Sequence, residues 1–130
     1  MGLDISTEAL QTALENSSRL KLFNKAIFRK SDILSNIKPY EKFDLIVSNP
    51  PYIPQKEKET LQIEVGFEPE SALFAKDEQG VEFYDKIISG AGDFLNEGGY
   101  LIFELGLGQA EKVQGLMQKA GVKNIQTEKD

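Results

Sequence analysis

The chain has 130 residues, about one domain's length, with no Cys and no His. Disulfides, thiolate metal sites, a Cys nucleophile and the Ser-His-Asp triad are therefore excluded, and with His gone no metal centre is expected. The net charge of −6, from 15 basic and 21 acidic residues, disfavours a nucleic-acid partner, because phosphate contacts need clustered Lys and Arg.

Met1 to Leu10 has neither the basic nor the apolar region of a signal peptide. No apolar run approaches the roughly 18–20 residues of a membrane span. No membrane partner is expected, and the cytoplasm is the default location. Ser6 to Leu20 reads as a helix. Ser6 is placed to cap it, Ile5 and Leu10 to staple it, and Leu10, Ala13, Leu14 and Ser17 share one face. Phe28–Lys30 is a short predicted strand, followed by the turn-like Ser31-Asp32. Phe43–Ser48 (FDLIVS) is a stronger one, apolar and β-branched as a buried parallel strand requires.

From Pro50 to Gly80 no period holds, and four of the five prolines lie here. A loop of that length inside a compact domain is usually functional. Lys56-Glu57-Lys58-Glu59 within it reads as a solvated face. Val81–Leu95 is a predicted helix with Phe83, Tyr84, Ile87, Ile88, Ala91, Phe94 and Leu95 on its apolar side. A turn at residues 96–99 leads into a strand over Tyr100–Leu105, then a tight turn at Gly106-Leu107-Gly108. Gln109–Ala120 is a third helix, with Ala110, Val113, Leu116, Met117 and Ala120 inward and Gly121 as its stop. Val122–Thr127 is a predicted last strand. Strands alternating with helices predict a parallel α/β sheet.

Chemistry concentrates in Ser48-Asn49-Pro50-Pro51-Tyr52, directly after the strongest strand. Pro50 holds Asn49 extended, and two successive prolines stiffen the chain beyond it. This places a rigid shelf at the C-terminal edge of a parallel sheet, where open α/β folds bind ligands. The Asn49 side-chain carbonyl and the Pro50 main-chain carbonyl are two fixed acceptors, and Tyr52 is a flat face. Together they suit a planar –NH2 group.

On these residues the sequence resembles a known family. NPPY after such a strand looks like motif IV of the class I S-adenosylmethionine-dependent methyltransferases that modify amino nitrogens. FDLIVSNPPYIP, EVGFEPESAL at Glu64–Leu73, GVEFY at Gly80–Tyr84 and GGYLIFELG at Gly98–Gly106, in that order, are similar to the HemK/PrmC protein-(glutamine-N5) methyltransferases of peptide chain release factors. The resemblance implies a Rossmann-like class I methyltransferase sheet, mostly parallel, with residues 1–130 as a partial catalytic domain. It implies release factors as partners and S-adenosylmethionine as cofactor. It makes Asn49 and Pro50 the catalytic pair, with Pro51 and Tyr52 completing the substrate shelf. It assigns Asp4 to the cofactor's ribose hydroxyls, Asp32 and Ile33 to its adenine, and Asn49 also to the cofactor side. Glu68 matches the family's loop without a role.

The family's glycine-rich loop is expected about 20 residues before an acidic residue such as Asp4. Only three residues precede Asp4 here. The chain therefore reads as a fragment lacking the first and last strands. Weak or absent cofactor binding is expected of it, and an exposed edge on the Phe43–Ser48 strand invites self-association. Two other readings stand beside this one. Glu104-Leu105-Gly106-Leu107-Gly108 has the form of a cofactor loop, which makes a permuted adenine-N6 nucleic-acid methyltransferase an alternative; tight-turn geometry explains the same glycines. A non-catalytic fragment that folds or self-associates without cofactor is the other.

Overall fold

The computed structural model describes residues 1–56 and 69–129. Glu57 to Glu59 of the charged run, residues 64–68 of the family-like loop and Glu68 itself fall outside the described residues. The chain divides into two compact units, Met1–Lys42 and Phe43–Asp130. All strand pairings among the described residues are parallel, as expected of a Rossmann-like α/β protein. No helix among them is long and apolar enough to cross a membrane.

The first unit is a β-α-β element: β1 (Gly2–Asp4), α1 (Thr7–Arg19) and β2 (Phe28–Lys30), with Asp4 opposite Lys30. Ser6 caps α1 as the sequence predicts, its Oγ accepting from the Ala9 N–H at 3.1 Å. The helix ends on Lys21, whose φ of 57° opens a left-handed turn. There the Lys21 and Leu22 N–H groups return to the Ser18 and Ser17 carbonyls, which satisfies the last turn's acceptors. Of the predicted inward residues of α1, only Ser17 is buried. Leu14 and the staple residue Ile5 stay exposed.

A fork of hydrogen bonds closes the unit. Arg29 donates to both Glu41 carboxylate oxygens at 2.7 and 2.9 Å, and the Lys38 N–H donates to the same carboxylate at 2.8 Å. These donors, Arg29 first and the Lys38 backbone second, hold the Glu41 carboxyl down at about 2, against an ordinary 4.5. A depressed carboxyl contributes stability above its unfolded value and loses it as the folded group is protonated. The first unit is therefore expected to weaken as pH falls from about 4.5 to about 2. In Glu41→Gln that acid limb should flatten. An acid titration of amide exchange at β2, wild type against variant, checks this; identical limbs would refute it.

The second unit carries β3 (Phe43–Ser48), β4 (Ile53–Pro54), α2 (Glu70–Leu73), β5 (Phe74–Ala75), α3 (Glu82–Ala91), β6 (Leu95–Phe103) and α4 (Ala110–Lys119). β3 lies parallel to β6, with Leu45 opposite Tyr100, Val47 opposite Ile102 and Ser48 opposite Phe103. The predicted turn at residues 96–99 lies inside β6. The register jumps between Phe43–Leu95 and Leu45–Tyr100. Gly98, at φ 77°, supplies the left-handed residue that this bulge needs. The same bulge ends α3 earlier than predicted, at Ala91, and draws Leu95 into the strand.

The long loop also contains structure: β4 and β5 form a two-rung parallel bridge, Ile53 to Phe74 and Pro54 to Ala75. Phe74 and Ala75 are buried, and that burial holds the bridge. Val122–Thr127 is not a strand. Asn124 turns left-handed at φ 55°, which breaks an extended run, while Val122 and Ile125 still pack on the core.

α3 and α4 cover one face of β6. Tyr84, Ile88, Val113 and Met117 form the buried cluster, with Leu101 and Phe103 against it. Each such apolar side chain, once buried, contributes roughly 1.5–3 kcal/mol. Ala120, predicted inward, is exposed; it is the C-cap residue just before the Gly121 turn. The opposite sheet face differs from the buried strand that the FDLIVS run predicts. Leu45, Val47, Tyr100 and Ile102, two cross-strand pairs, are each at least half exposed.

Candidate active site

The last rung of the β3–β6 ladder is the Glu104 N–H donating to the Ser48 carbonyl at 3.1 Å. Asn49 follows at once, at the C-terminal end of a parallel strand, with its side chain exposed. Pro50, buried, has no N–H with which to continue the ladder, and so the chain leaves the sheet here. Pro51 and Tyr52 are half-buried before β4 begins. The Tyr52 ring packs beside the buried cluster and against Gly106.

Neighbouring groups pin both ends of this shelf. Tyr84, fully buried, donates its hydroxyl to the Glu104 carbonyl at 2.9 Å and stacks edge-on against Phe103, at 5.3 Å between centroids. Burial pushes the Tyr84 hydroxyl up to about 12, so it stays a donor throughout the physiological range. At the other end the Tyr52 carbonyl accepts from Gln109 Nε2 at 2.9 Å. Gly80, at φ 68°, lies so close that a Cβ there would sit 2.0 Å from the Tyr52 carbonyl oxygen. Asp77 organises the segment between: its carboxylate accepts from the Gln79, Val81 and Glu82 N–H groups at 3.1–3.3 Å and so caps α3. Burial raises the Asp77 carboxyl, but these donors outweigh it and hold the group below its usual range.

The helical pattern puts Tyr84 on an apolar face and gives no sign of its hydroxyl's role. Gln109, Gly80 and Asp77 have no role in the sequence reading either. The signal for two of them is present: a glycine immediately before a helix, and a Gln opening another.

The remaining predicted residues lie in the first unit. Asp4 ends β1. Its Oδ1 accepts from the Ser6 N–H at 2.8 Å, and its exposed carboxylate makes no other hydrogen bond among the described residues. The Ser31 N–H donates to the Asp4 carbonyl at 2.9 Å, so the Ser31-Asp32-Ile33 turn starts beside it. Ser31 is buried and its Oγ accepts from the Asn36 N–H at 3.0 Å, which fixes the turn's base. Asp32 is exposed. Ile33 has φ 53°, a costly left-handed conformation for a β-branched residue. Such strain concentrates where a turn serves a ligand. The groups present are compatible with an adenosyl group: a carboxylate oxygen able to accept from paired hydroxyls, and a strained apolar turn beside it. The structure thus gathers Asp4, Asp32 and Ile33 in one unit, and Asn49, Pro50, Pro51 and Tyr52 in the other.

Residues 1–128 match a family described as a methyltransferase domain. A release factor glutamine methyltransferase of Fusobacterium nucleatum is 42% identical over 118 residues, which are 90% of this chain and 33% of that protein. Proteins of the same description from Geobacter sulfurreducens and Vibrio cholerae are 39% identical over 135 residues and 40% over 129. They cover 100% and 99% of this chain, against 45% and 44% of their own length. The chain therefore spans between a third and a half of the length of these three relatives.

Proposed function

The chain belongs to the methyltransferase domain family, and on that premise we propose that it carries the acceptor shelf of an S-adenosylmethionine-dependent enzyme. Its acceptor is the side-chain amide of a glutamine in a peptide chain release factor, and its compartment the cytoplasm. The observation that carries this reading is the placement of Asn49: exposed, at the C-terminal end of β3, and followed by two prolines that restrict the backbone angles around the Pro50 carbonyl. The names of the relatives support the substrate class.

A carboxamide nitrogen is a poor nucleophile, because its lone pair is delocalised into the carbonyl. Asn49 Oδ1 and the Pro50 carbonyl accept its two hydrogens, turn the lone pair toward the incoming methyl group and return electron density to nitrogen. Tyr52 presents the exposed part of its ring to the amide plane. By the family resemblance Asp4 would hold the ribose hydroxyls and Asp32 and Ile33 the adenine, and Asn49 is assigned to the cofactor as well as to the acceptor. When bound, the cofactor would supply a sulfonium-activated methyl group: the N–C bond forms as the S–C bond breaks, the sulfur leaves as a neutral thioether, and the amide nitrogen gives up one proton to water. Positioning then contributes more than a strong base does. In this reading residues 1–130 are a partial catalytic domain that binds the cofactor weakly when isolated. The other edge of β3, which pairs only with β6 among the described residues, invites the isolated chain to self-associate.

The test incubates the intact protein with labelled cofactor and, separately, a release factor and adenine-containing DNA. Label on a glutamine side-chain nitrogen of the release factor is the expected result. Label on adenine, or none on glutamine, overturns the reading.

A further inference from the structure

Gln109 is 6% exposed and stands at the N-cap of α4, yet its side chain does not cap that helix. Its amide faces inward. Nε2 donates to the Tyr52 carbonyl at 2.9 Å and lies 3.1 Å from each of the Gln79 and Gly80 carbonyls. Oε1 accepts from the Gly106 N–H at 3.1 Å. Three carbonyls around one nitrogen fix the amide's orientation, since only an –NH2 suits them. The surroundings are shaped to this side chain. A Cβ on Gly80 would lie 2.5 Å from Nε2, and one on Gly106 2.7 Å from Oε1 and from the Tyr52 ring.

One side chain thereby joins the acceptor loop, the turn before α3, the turn after β6 and the start of α4. Its shortest bond goes to the residue two positions beyond Pro50. The near end of the shelf is held by the Ser48–Glu104 rung; the far end has Gln109.

We propose that Gln109 is a positioning residue for the acceptor amide: by holding the Tyr52 carbonyl it sets where the Pro50 carbonyl and Asn49 meet the substrate nitrogen. This rests on the reading given under Proposed function. Gln109 touches no reacting atom and acts through the shelf.

The test uses Gln109→Glu in the intact protein, with cofactor affinity by calorimetry and single-turnover methylation of a release factor as readouts. The substitution keeps the shape but turns a carboxylate oxygen on carbonyls that need a donor. Methylation is expected to fall about ten- to a hundredfold at neutral pH, by analogy with the cost of a small misplacement, with cofactor affinity held within threefold. Lowering the pH protonates the new carboxyl, restores one donor and recovers part of the rate; the wild type shows no such acid recovery. A role confined to folding lowers the melting temperature without this pH signature. A folded Gln109→Glu that methylates within threefold of wild type at neutral pH overturns the proposal, as does a slow one without acid recovery. Should Gln109→Glu not fold, Gln109→Asn decides. That variant keeps the donor one methylene short of Tyr52, and a folded protein with reduced turnover and intact cofactor affinity supports the proposal. Unchanged turnover or failure to fold overturns it. A wild type that leaves glutamine unlabelled defeats the functional reading instead, so the two failures are distinguishable.

Discussion

Asn49→Ala in the intact protein should slow single-turnover methylation of a release factor by roughly a hundred- to a thousandfold, while costing cofactor affinity far less. The residue stands exposed at the end of β3, with no side-chain hydrogen bond among the described residues, so its truncation leaves the shelf's own contacts in place. Under the proposed reading it removes one of two acceptors that place the nucleophilic nitrogen. Losing a positioning hydrogen bond of this kind costs about 2–4 kcal/mol in the transition state, by analogy with lost oxyanion-hole donors, which gives the stated rate loss. Asp4→Ala should show the opposite balance, with weakened cofactor binding and a smaller loss of rate once cofactor saturates. Cofactor dissociation constants and single-turnover rates measured together for both variants check the assignment. Methylation by Asn49→Ala within threefold of wild type would reduce the motif to a turn.

Gly80→Ala should destabilise the second unit by roughly 2–5 kcal/mol, the sum of a left-handed backbone cost and an overpacking cost. The φ of 68° is the smaller part. The larger part is the Tyr52 carbonyl oxygen 2.0 Å from the added methyl. That oxygen cannot retreat without releasing Gln109. Gly98→Ala is the matched control, since its φ is 77° with nothing within 4 Å of the Cβ position. It should cost only about 1–2 kcal/mol, the backbone cost alone. Urea unfolding of both variants separates the two contributions. Midpoints that agree would show that the close approach to Tyr52 carries no penalty.

What the sequence made legible was local. Ser6 announces α1, and the FDLIVS run with the proline pair after it locates β3 and the exit of Asn49 to within a residue. Gly121 marks the end of α4 correctly: the Val122 and Gly121 N–H groups fold back to Met117 and Gln118. Of the misreadings, one came from a distant strand partner and one from a local left-handed turn. A bulge absorbs the turn at residues 96–99 because β3 is there to pair with Leu95. Residues 122–127 carry strand-forming side chains, but Asn124 breaks the extension. The role of Gln109 was invisible because its contacts lie 57, 30 and 29 residues away. The local hints were its own place at the opening of α4 and the two glycines that make room for it, Gly80 and Gly106.

The prolines of the shelf also set a donor–acceptor imbalance. Asn49 to Pro54 carries six main-chain carbonyls but only three N–H groups, since Pro50, Pro51 and Pro54 have none. Gln109 engages one of those carbonyls, and the Asn49 side-chain carbonyl adds an acceptor. The edge therefore asks its ligand for hydrogens. A glutamine amide brings two on one atom. A glutamate carboxylate brings none and adds a negative charge facing oxygen lone pairs. Under the proposed reaction, selectivity for the amide over the acid is thus written into the backbone composition. A release-factor glutamine that has deamidated would be refused at the shelf, before any methyl group moves.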